Sequence, residues 1–329
     1  MNSDNFGTSI KKIPLVSIII PVFNRQEFIV DCVESAINQT YQNIEVIIVD
    51  NASTDDTWTK CVALSRQDSR IKVFRNSYNI GPVRNWVECV SKAQGEYIKI
   101  LWSDDTISRT FIEETIVEMN DDVAFVYTGV KIFNEANQSF RNHYLYSFPG
   151  IYPSSAYIEA ALFSKNVPVS PGCALFRTVD VKSNLLTKIE NKFGINIENV
   201  AIGPDLLLFL ITAHTYKNVC VINKALSSFR DHAGSISSMD SDGKLDFHYS
   251  LAKVFFVEKY EPRLKSRLHA SLTFQQIIFR IRNYSYGKYP SELMFAQSPN
   301  RDIFWFFYFI HHGYKLAVKR IKYKLRSIT

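Results

Sequence analysis

Through the first 130 residues, short unbroken apolar runs alternate with stretches whose apolar positions recur every three or four residues. Val16-Ser-Ile-Ile-Ile20 reads as a buried strand, closed by a turn from Pro21 to Asn24. Asn24 and Glu27 stand at capping-box spacing, and Ile29, Val33, Ala36 and Ile37 then share one helical face. Glu45 to Asp50 is a second strand. Ser53, with Asp56 three positions on, opens a second helix, and Ile71 to Arg75 is a third strand. Pro82 suits the first turn of a third helix and Gly95 its end. The apolar run Tyr97 to Trp102 follows, then a helical stretch from Arg109 to Met119 and a strand from Val123 to Tyr127. Such alternation predicts an α/β fold, a doubly wound and mostly parallel sheet flanked by helices. Beyond residue 130 the pattern is less regular. Strands are expected at Gly172 to Arg177, Lys217 to Ile222 and Leu226 to Arg230, with a buried helix from Pro204 to His214. After residue 245 the chain reads as wholly helical, which puts a soft boundary near residue 240.

Asp104-Asp105 follows the run that begins at Tyr97. Open α/β sheets bind ligands outside the carboxyl ends of their strands, and paired carboxylates supply hard oxygen ligands for a divalent cation that carries phosphate. Two other Asp-Asp pairs, Asp55-Asp56 and Asp121-Asp122, read as solvated turns or helix starts. Asp50 also ends a strand, where it could accept hydrogen bonds from a ribose hydroxyl or a base N–H, or cap the next helix. The chain has neither a G-x-G-x-x-G after its first strand nor a G-x-x-x-x-G-K-[ST] loop, which argues against dehydrogenase-type and P-loop nucleotide binding.

Four segments in order carry a family resemblance. Val16-Ser-Ile-Ile-Ile-Pro-Val-Phe-Asn24, Ile47-Ile-Val-Asp-Asn-Ala-Ser-Thr-Asp-Asp56, Asn79-Ile-Gly-Pro-Val-Arg-Asn85 and Leu101-Trp-Ser-Asp-Asp105 resemble successive motifs of the family-2 nucleotide-sugar glycosyltransferases of the GT-A type. The likeness is close over residues 15–130 and looser to about residue 238. It implies a GT-A-like sheet with a helical carboxyl-terminal extension. Residues 1–240 would be the transferase domain, with a donor half at 15–130 and an acceptor half at 150–238, and 241–329 the extension. By the same resemblance Pro21, Val22, Phe23 and Asn24 would line the nucleotide pocket and Asp50 would contact the base. Arg84 would hold the nucleotide or its phosphates, Asp104 the ribose or sugar, and Asp105 the metal, Mn²⁺ or Mg²⁺. For Arg84 the alternative is a salt bridge at a helix start. Gly203-Pro-Asp205 is similar to the family's Glu-Asp motif, with Pro204 in place of Glu; Asp205 would be the general base, or else only stabilise its helical turn. Ser228-Phe-Arg-Asp-His232-Ala-Gly-Ser-Ile-Ser237 resembles a late Arg-x-His segment, which would make His232 a further metal or diphosphate ligand, against the alternative of a solvated loop histidine. The implied reaction is inverting, metal-dependent transfer from a nucleoside diphosphate sugar to a hydroxyl of a lipid-linked surface glycan such as an O-antigen. The rivals are a sugar-nucleotide nucleotidyltransferase, which usually opens on a Gly-rich loop rather than Pro21-Val-Phe-Asn-Arg25, and a catalytically silent binding module.

Charge adds one feature. Residues 311–329 hold six basic side chains (Lys315, Lys319, Arg320, Lys322, Lys324 and Arg326) and no acidic ones, leaving 32 basic against 32 acidic groups in the other 310 residues. A neutral body with a basic tail argues against a broad nucleic-acid surface and suits anionic lipid head groups. The apolar run from Ile303 to Ile310 leads into Tyr314, Ala317, Val318, Ile321 and Leu325 on one helical face, with Lys315, Lys319, Lys322 and Arg326 on another, the form of an interfacial helix. The alternative is a core-packing helix with a solvated basic face. Five scattered cysteines, Cys32, Cys61, Cys89, Cys173 and Cys220, contain no C-x-x-C pair and read as reduced thiols. With a polar amino terminus and no apolar run of membrane-spanning length, the expected location is cytoplasmic, peripheral at the inner face of the membrane, with residues 303–329 as the contact.

Overall fold

β1 (Val16–Val22) is buried at every position, because parallel strands flank both of its edges. β2 (Ile44–Asp50) pairs with it from Val16↔Ile44 to Val22↔Asp50, and β4 (Tyr97–Ile100) from Val16↔Tyr97 to Ile19↔Ile100. Isoleucine and valine suit strands covered on both faces. Pro21 lies past the last β1–β4 pair, where a missing N–H costs the ladder least. β3 (Ile71–Arg75) adds a parallel edge beyond β2. This computed structural model describes residues 13–145, 149–163, 167–232, 234–235, 243–281, 291–296, 305–311 and 313.

Alternate side chains of β1 feed two helical layers. Ile18 and Ile20 join Ile29, Val33 and Ala36 of α1 (Ile29–Ile37) and Cys61 of α2 (Thr57–Ser65). Ile19, between them, joins Val83, Trp86 and Cys89 of α3 (Pro82–Lys92) on the opposite face. The doubly wound α/β arrangement expected from the apolar pattern is thus the fold observed.

The sheet continues through strands of mixed direction. β9 (Ala174–Arg177) runs antiparallel between β4 and β6 (Val123–Asn134). β10 (Asn218–Asp231) lies parallel to β6, and β5 (Thr106–Ile107) pairs antiparallel with β10. Among the described residues the order is β3-β2-β1-β4-β9-β6-β10-β5, with β7 (Ser139–His143) on β6 and β8 (Gly150–Pro153) on β10. α4 (Phe111–Ile116) backs the first layer. α5 (Ser154–Phe163), α6 (Thr178–Asn184) and α7 (Ile197–Val200) lead to α8 (Pro204–Thr215), which is buried from Pro204 to Ala213. α9 (Lys244–Tyr260) and α10 (Lys265–Ile281) follow, and Phe247, Leu251, Phe256 and Leu268 belong to the same core as α8. That core crosses residue 240 without interruption.

Three local expectations are corrected. α1 begins at Ile29 without a side-chain cap, so Asn24 and Glu27 form no capping box. Asn24 instead spends its side chain on the neighbouring loop, accepting from the Thr54 N–H at 2.9 Å. Ser53 likewise does not open α2, which starts at Thr57; its hydroxyl accepts the Asn24 N–H at 2.9 Å. The two strands expected near residues 217–230 are one strand, β10, whose register shifts between Ile222 and Ala225 and again between Ala225 and Ser227. Those irregularities interrupt the apolar alternation and made one strand read as two. In the tail, residues 314–329, including all six basic side chains, lie outside the described residues.

Candidate active site

The carboxyl ends of β1, β2 and β4 lie side by side, so their loops meet. After β4 the Leu101 N–H still bonds Ile19 O at 2.9 Å, and the Asp105 N–H folds back to Trp102 O at 3.0 Å. That tight turn presents Asp104 and Asp105 between β4 and β10. The bulges re-aim β10 so that its last residues cross the turn. The Arg230 N–H donates to Asp105 Oδ1 at 3.0 Å, and Arg230 Nε donates to Asp104 O at 3.3 Å. His232 Nε2 lies 3.0 Å from Asp104 Oδ2, with Arg25 Nε at 3.5 Å from the same oxygen. Phe28 floors the group, with the Arg230 guanidinium 4.7 Å and the His232 ring 5.1 Å from its centroid.

Asp105 is buried, and burial followed by the charge of Asp104 raises its pKa well above the usual carboxylate range. Its Oδ2 receives no hydrogen bond from a described residue. Lys99 and Arg230 oppose that rise without cancelling it, and a divalent cation would favour the ionised form further. Among the described residues no three carboxylate, imidazole or thiol groups form a ready cage. Sites for Mg²⁺-like ions commonly take one or two protein carboxylates and complete their shell with water and substrate phosphate, so the donor set fits such an ion carried on a nucleotide. His232 turns Nε2 toward Asp104 and Nδ1 toward its own loop. The Gly234 N–H bonds Nδ1 at 3.2 Å, which puts the proton of the neutral ring on Nε2, facing Asp104. For His232 to ligate a metal, Nε2 must release both that proton and Asp104.

Beneath the pair runs Lys99, fully buried in β4, whose ammonium donates to Gly172 O and sits 4.4 Å from the Phe111 ring centroid. Burial pushes its pKa down to about 7. Ser227 Oγ also donates to Gly172 O, at 3.0 Å. A Cβ on Gly172 would stand 3.0 Å from both Trp102 and Phe229, and the Trp102 indole N–H donates to Ser170 Oγ at 3.0 Å. The segment before β9 is therefore stitched to the end of β4.

The other expected residues take distinct positions. Pro21 and Val22 are buried in β1, Phe23 is 38% exposed, and Asn24 turns left-handed at φ 49°. Asp50 is wholly buried. It accepts the Ser53 N–H at 3.1 Å and pairs with Arg75 Nε at 3.0 Å, so it anchors the β2 loop, and the exposed group there is Arg75. Arg84 is ion-paired with Glu198 of α7, the salt-bridge alternative, and no bond joins it to the Asp104–Asp105 group. Asp205 sits in the first turn of α8. The Gly203 N–H donates to its Oδ1 at 2.9 Å and the Tyr249 hydroxyl to its Oδ2 at 2.7 Å, while burial pushes its pKa up to about 6. Arg25, Arg230 and Tyr249 were not singled out from the sequence. The first two adjoin Asn24 and His232 in segments already noted; Tyr249 is an ordinary helical residue with no sequence signal.

The glycosyl transferase family 2 profile matches residues 17–184. The chain belongs to this family. It is 32% identical over 230 residues, 68% of this chain and 80% of the other, to the Escherichia coli UDP-Glc:alpha-D-GlcNAc-diphosphoundecaprenol beta-1,3-glucosyltransferase WfaP. It is 36% identical over 132 residues, 40% of this chain, to glycosyltransferase GlyG of Streptococcus pneumoniae. The chain spans only 38% to 43% of the length of GlyG and three further curated relatives. S. aureus TarS 1-349 in complex with UDP-GlcNAc superposes with a TM-score of 0.60 at 19% identity, covering 84% of this chain and 77% of that one. The family-2 sheet, of GT-A type, thus carries the carboxylate pair at its strand ends.

Proposed function

We propose that this family-2 protein transfers a sugar, with inversion, from a nucleoside diphosphate donor to a hydroxyl of a lipid-linked glycan. The observation that carries the reading is the Asp104–Asp105 turn held by Arg25, Arg230 and His232, with the Asp105 carboxyl buried at the strand ends and its ionised form disfavoured. A bound Mn²⁺ or Mg²⁺ would supply the Lewis acidity that neutralises the departing diphosphate. Asp105 would hold it, and Asp104 would take the ribose or sugar. Pro21 to Asn24 would border the nucleotide, with Asp50 fixing the loop beside the base. Arg84 would reach the nucleotide only by leaving Glu198.

Asp205 would act as general base. An acceptor hydroxyl gives its proton to the carboxylate as its oxygen bonds the anomeric carbon, and the bond from that carbon to the diphosphate breaks, its electron pair leaving with the phosphate oxygen. The Gly203 N–H and Tyr249 hydroxyl hold the carboxylate in place, and a pKa near 6 leaves it ionised yet basic at neutral pH. WfaP, by its name, acts on a diphosphoundecaprenol-linked sugar, which supports a lipid-linked acceptor. In this reading residues 1–240 supply the transfer site, α9 of the 241–329 extension braces it through Tyr249, and the extension holds the enzyme at the inner membrane face through the basic tail; no described helix is long and apolar enough to cross a membrane. The test is mass spectrometry of products from a panel of donor sugars and lipid-linked acceptors, with Mn²⁺ or chelator. One metal-dependent product supports the proposal. Donor binding without transfer to any acceptor would favour a silent binding module.

A further inference from the structure

Residues 305–311 form a helix with apolar residues around much of its circumference, and among the described residues ring contacts to α10 are made from one side of it. Trp305, Phe309 and Gly313, spaced by four, face α10. Trp305 stacks on Phe309 at 5.1 Å and lies 5.8 Å from His269, and Phe309 lies 5.7 Å from Phe274. A Cβ on Gly313 would come within 3.1 Å of Phe274, so the helix is seated closely there. Arg267 connects the seat to the body, lying over both Phe163 and Tyr308 and pairing with Glu159 of α5. The flank adjoining that seat carries Phe306, Phe307 and Ile310, 54%, 61% and 52% exposed. The α10 face that receives Phe309 at Phe274 continues one and two turns on as Ile277 and Ile281, also exposed.

We propose that Phe306, Phe307 and Ile310, with Ile277 and Ile281, form a membrane-seating face that enters the surface of an anionic phospholipid layer. This deepens the membrane reading above and rests on it. Within the 303–329 contact it assigns the apolar part to a surface clamped onto the transferase body, so that the layer would meet the body in one orientation. Exposed apolar side chains grouped in this way mark an interaction site, and the sign of the charge that follows them in the sequence selects the partner. On α10 Lys265 is paired with Glu258 and Arg267 with Glu159, so the excess charge comes from the chain beyond residue 313, which adds six basic residues and no acidic one. Two copies of a chain that carries this one-signed segment would repel each other through it, which opposes self-association. An anionic head-group layer satisfies the charge while its acyl boundary takes the aromatic rings.

The test is flotation of the full chain with phosphatidylcholine vesicles, with and without phosphatidylglycerol, for the wild type, Phe306→Ser/Phe307→Ser, and Lys315→Gln/Lys319→Gln/Lys322→Gln. The wild type should float with the anionic vesicles. The aromatic double variant should partition about a hundredfold more weakly, with unchanged melting temperature and unchanged nucleotide-dependent thermal shift. The lysine variant should lose only the preference for anionic lipid. If the wild type floats and the aromatic variant floats equally well, the face proposed here is wrong while the broader membrane reading stands. A wild type that floats with neither vesicle overturns both. A wild-type dimer in light scattering that the aromatic variant breaks would assign the face to a second copy instead.

Discussion

Replacing Asp205 with Asn separates the two parts this residue can play. In the fold both of its oxygens accept, from the Gly203 N–H and the Tyr249 hydroxyl. An Asn can keep both contacts, with Oδ1 accepting from Gly203 and Nδ2 donating to the tyrosine oxygen, so geometry changes little. Ionisation changes a great deal. Burial lifts the carboxyl from 3.8 to about 6, a difference worth about 3 kcal/mol. Because the folded value lies above the unfolded one, the stability this group contributes is full below pH about 4 and is lost as pH rises through about 6. Asp205→Asn removes that loss, so at neutral pH the variant should be about 1–3 kcal/mol more stable than wild type, a rise of about 1–4 °C in melting temperature. Near pH 4 the two should melt together. Transfer should fall by about 10²–10⁴-fold, and wild-type kcat/KM should rise with pH through an inflexion near 6. The assays are melting curves across pH and initial rates of product formation. A variant that melts below wild type at neutral pH would refute the burial argument, and one that turns over normally would leave Asp205 as a helix cap alone.

Gly203 holds φ 113°, and a Cβ there would stand 3.3 Å from that of Ala252. Gly203→Ala should cost about 1–3 kcal/mol and, by turning its N–H from Asp205, lower the rate as well; a melting curve and a rate assay check both. His232→Ala leaves Asp104 Oδ2 with Arg25 alone and strips the ring from Phe28. Metal affinity during turnover should weaken about 10–100-fold, read from Mn²⁺ titrations of the rate, and an unchanged titration would remove His232 from the site.

The parallel half of the sheet was legible because β1, β2 and β4 are covered on both faces and therefore spelled in unbroken Val and Ile. The same strands end together, which is why motifs far apart in the chain, at Pro21, Asp50 and Asp104, converge. β10 was harder to read, since its bulges hide the period of two and its partner β6 lies far upstream in sequence. The polar side chains after β1 and β2 misled for a related reason. Asn24, Asp50 and Ser53 look like helix caps in sequence but are used across loops, which only the strand order makes adjacent. Arg84 fitted either an anionic ligand or a salt bridge, and its partner Glu198 lies 114 positions away, beyond the reach of local pattern. Lys99 looked like one polar residue interrupting an apolar strand; its burial follows from the backbone oxygen of Gly172, which no sequence pattern announces.

Isothermal titration of nucleoside diphosphates, with and without Mn²⁺, into wild type and Asp105→Asn decides whether Asp105 holds a metal for the donor. One diphosphate should bind wild type at least tenfold more tightly with Mn²⁺, and Asp105→Asn, still folded, should lose this gain. Equal Mn²⁺-dependent binding by the variant would contradict that role.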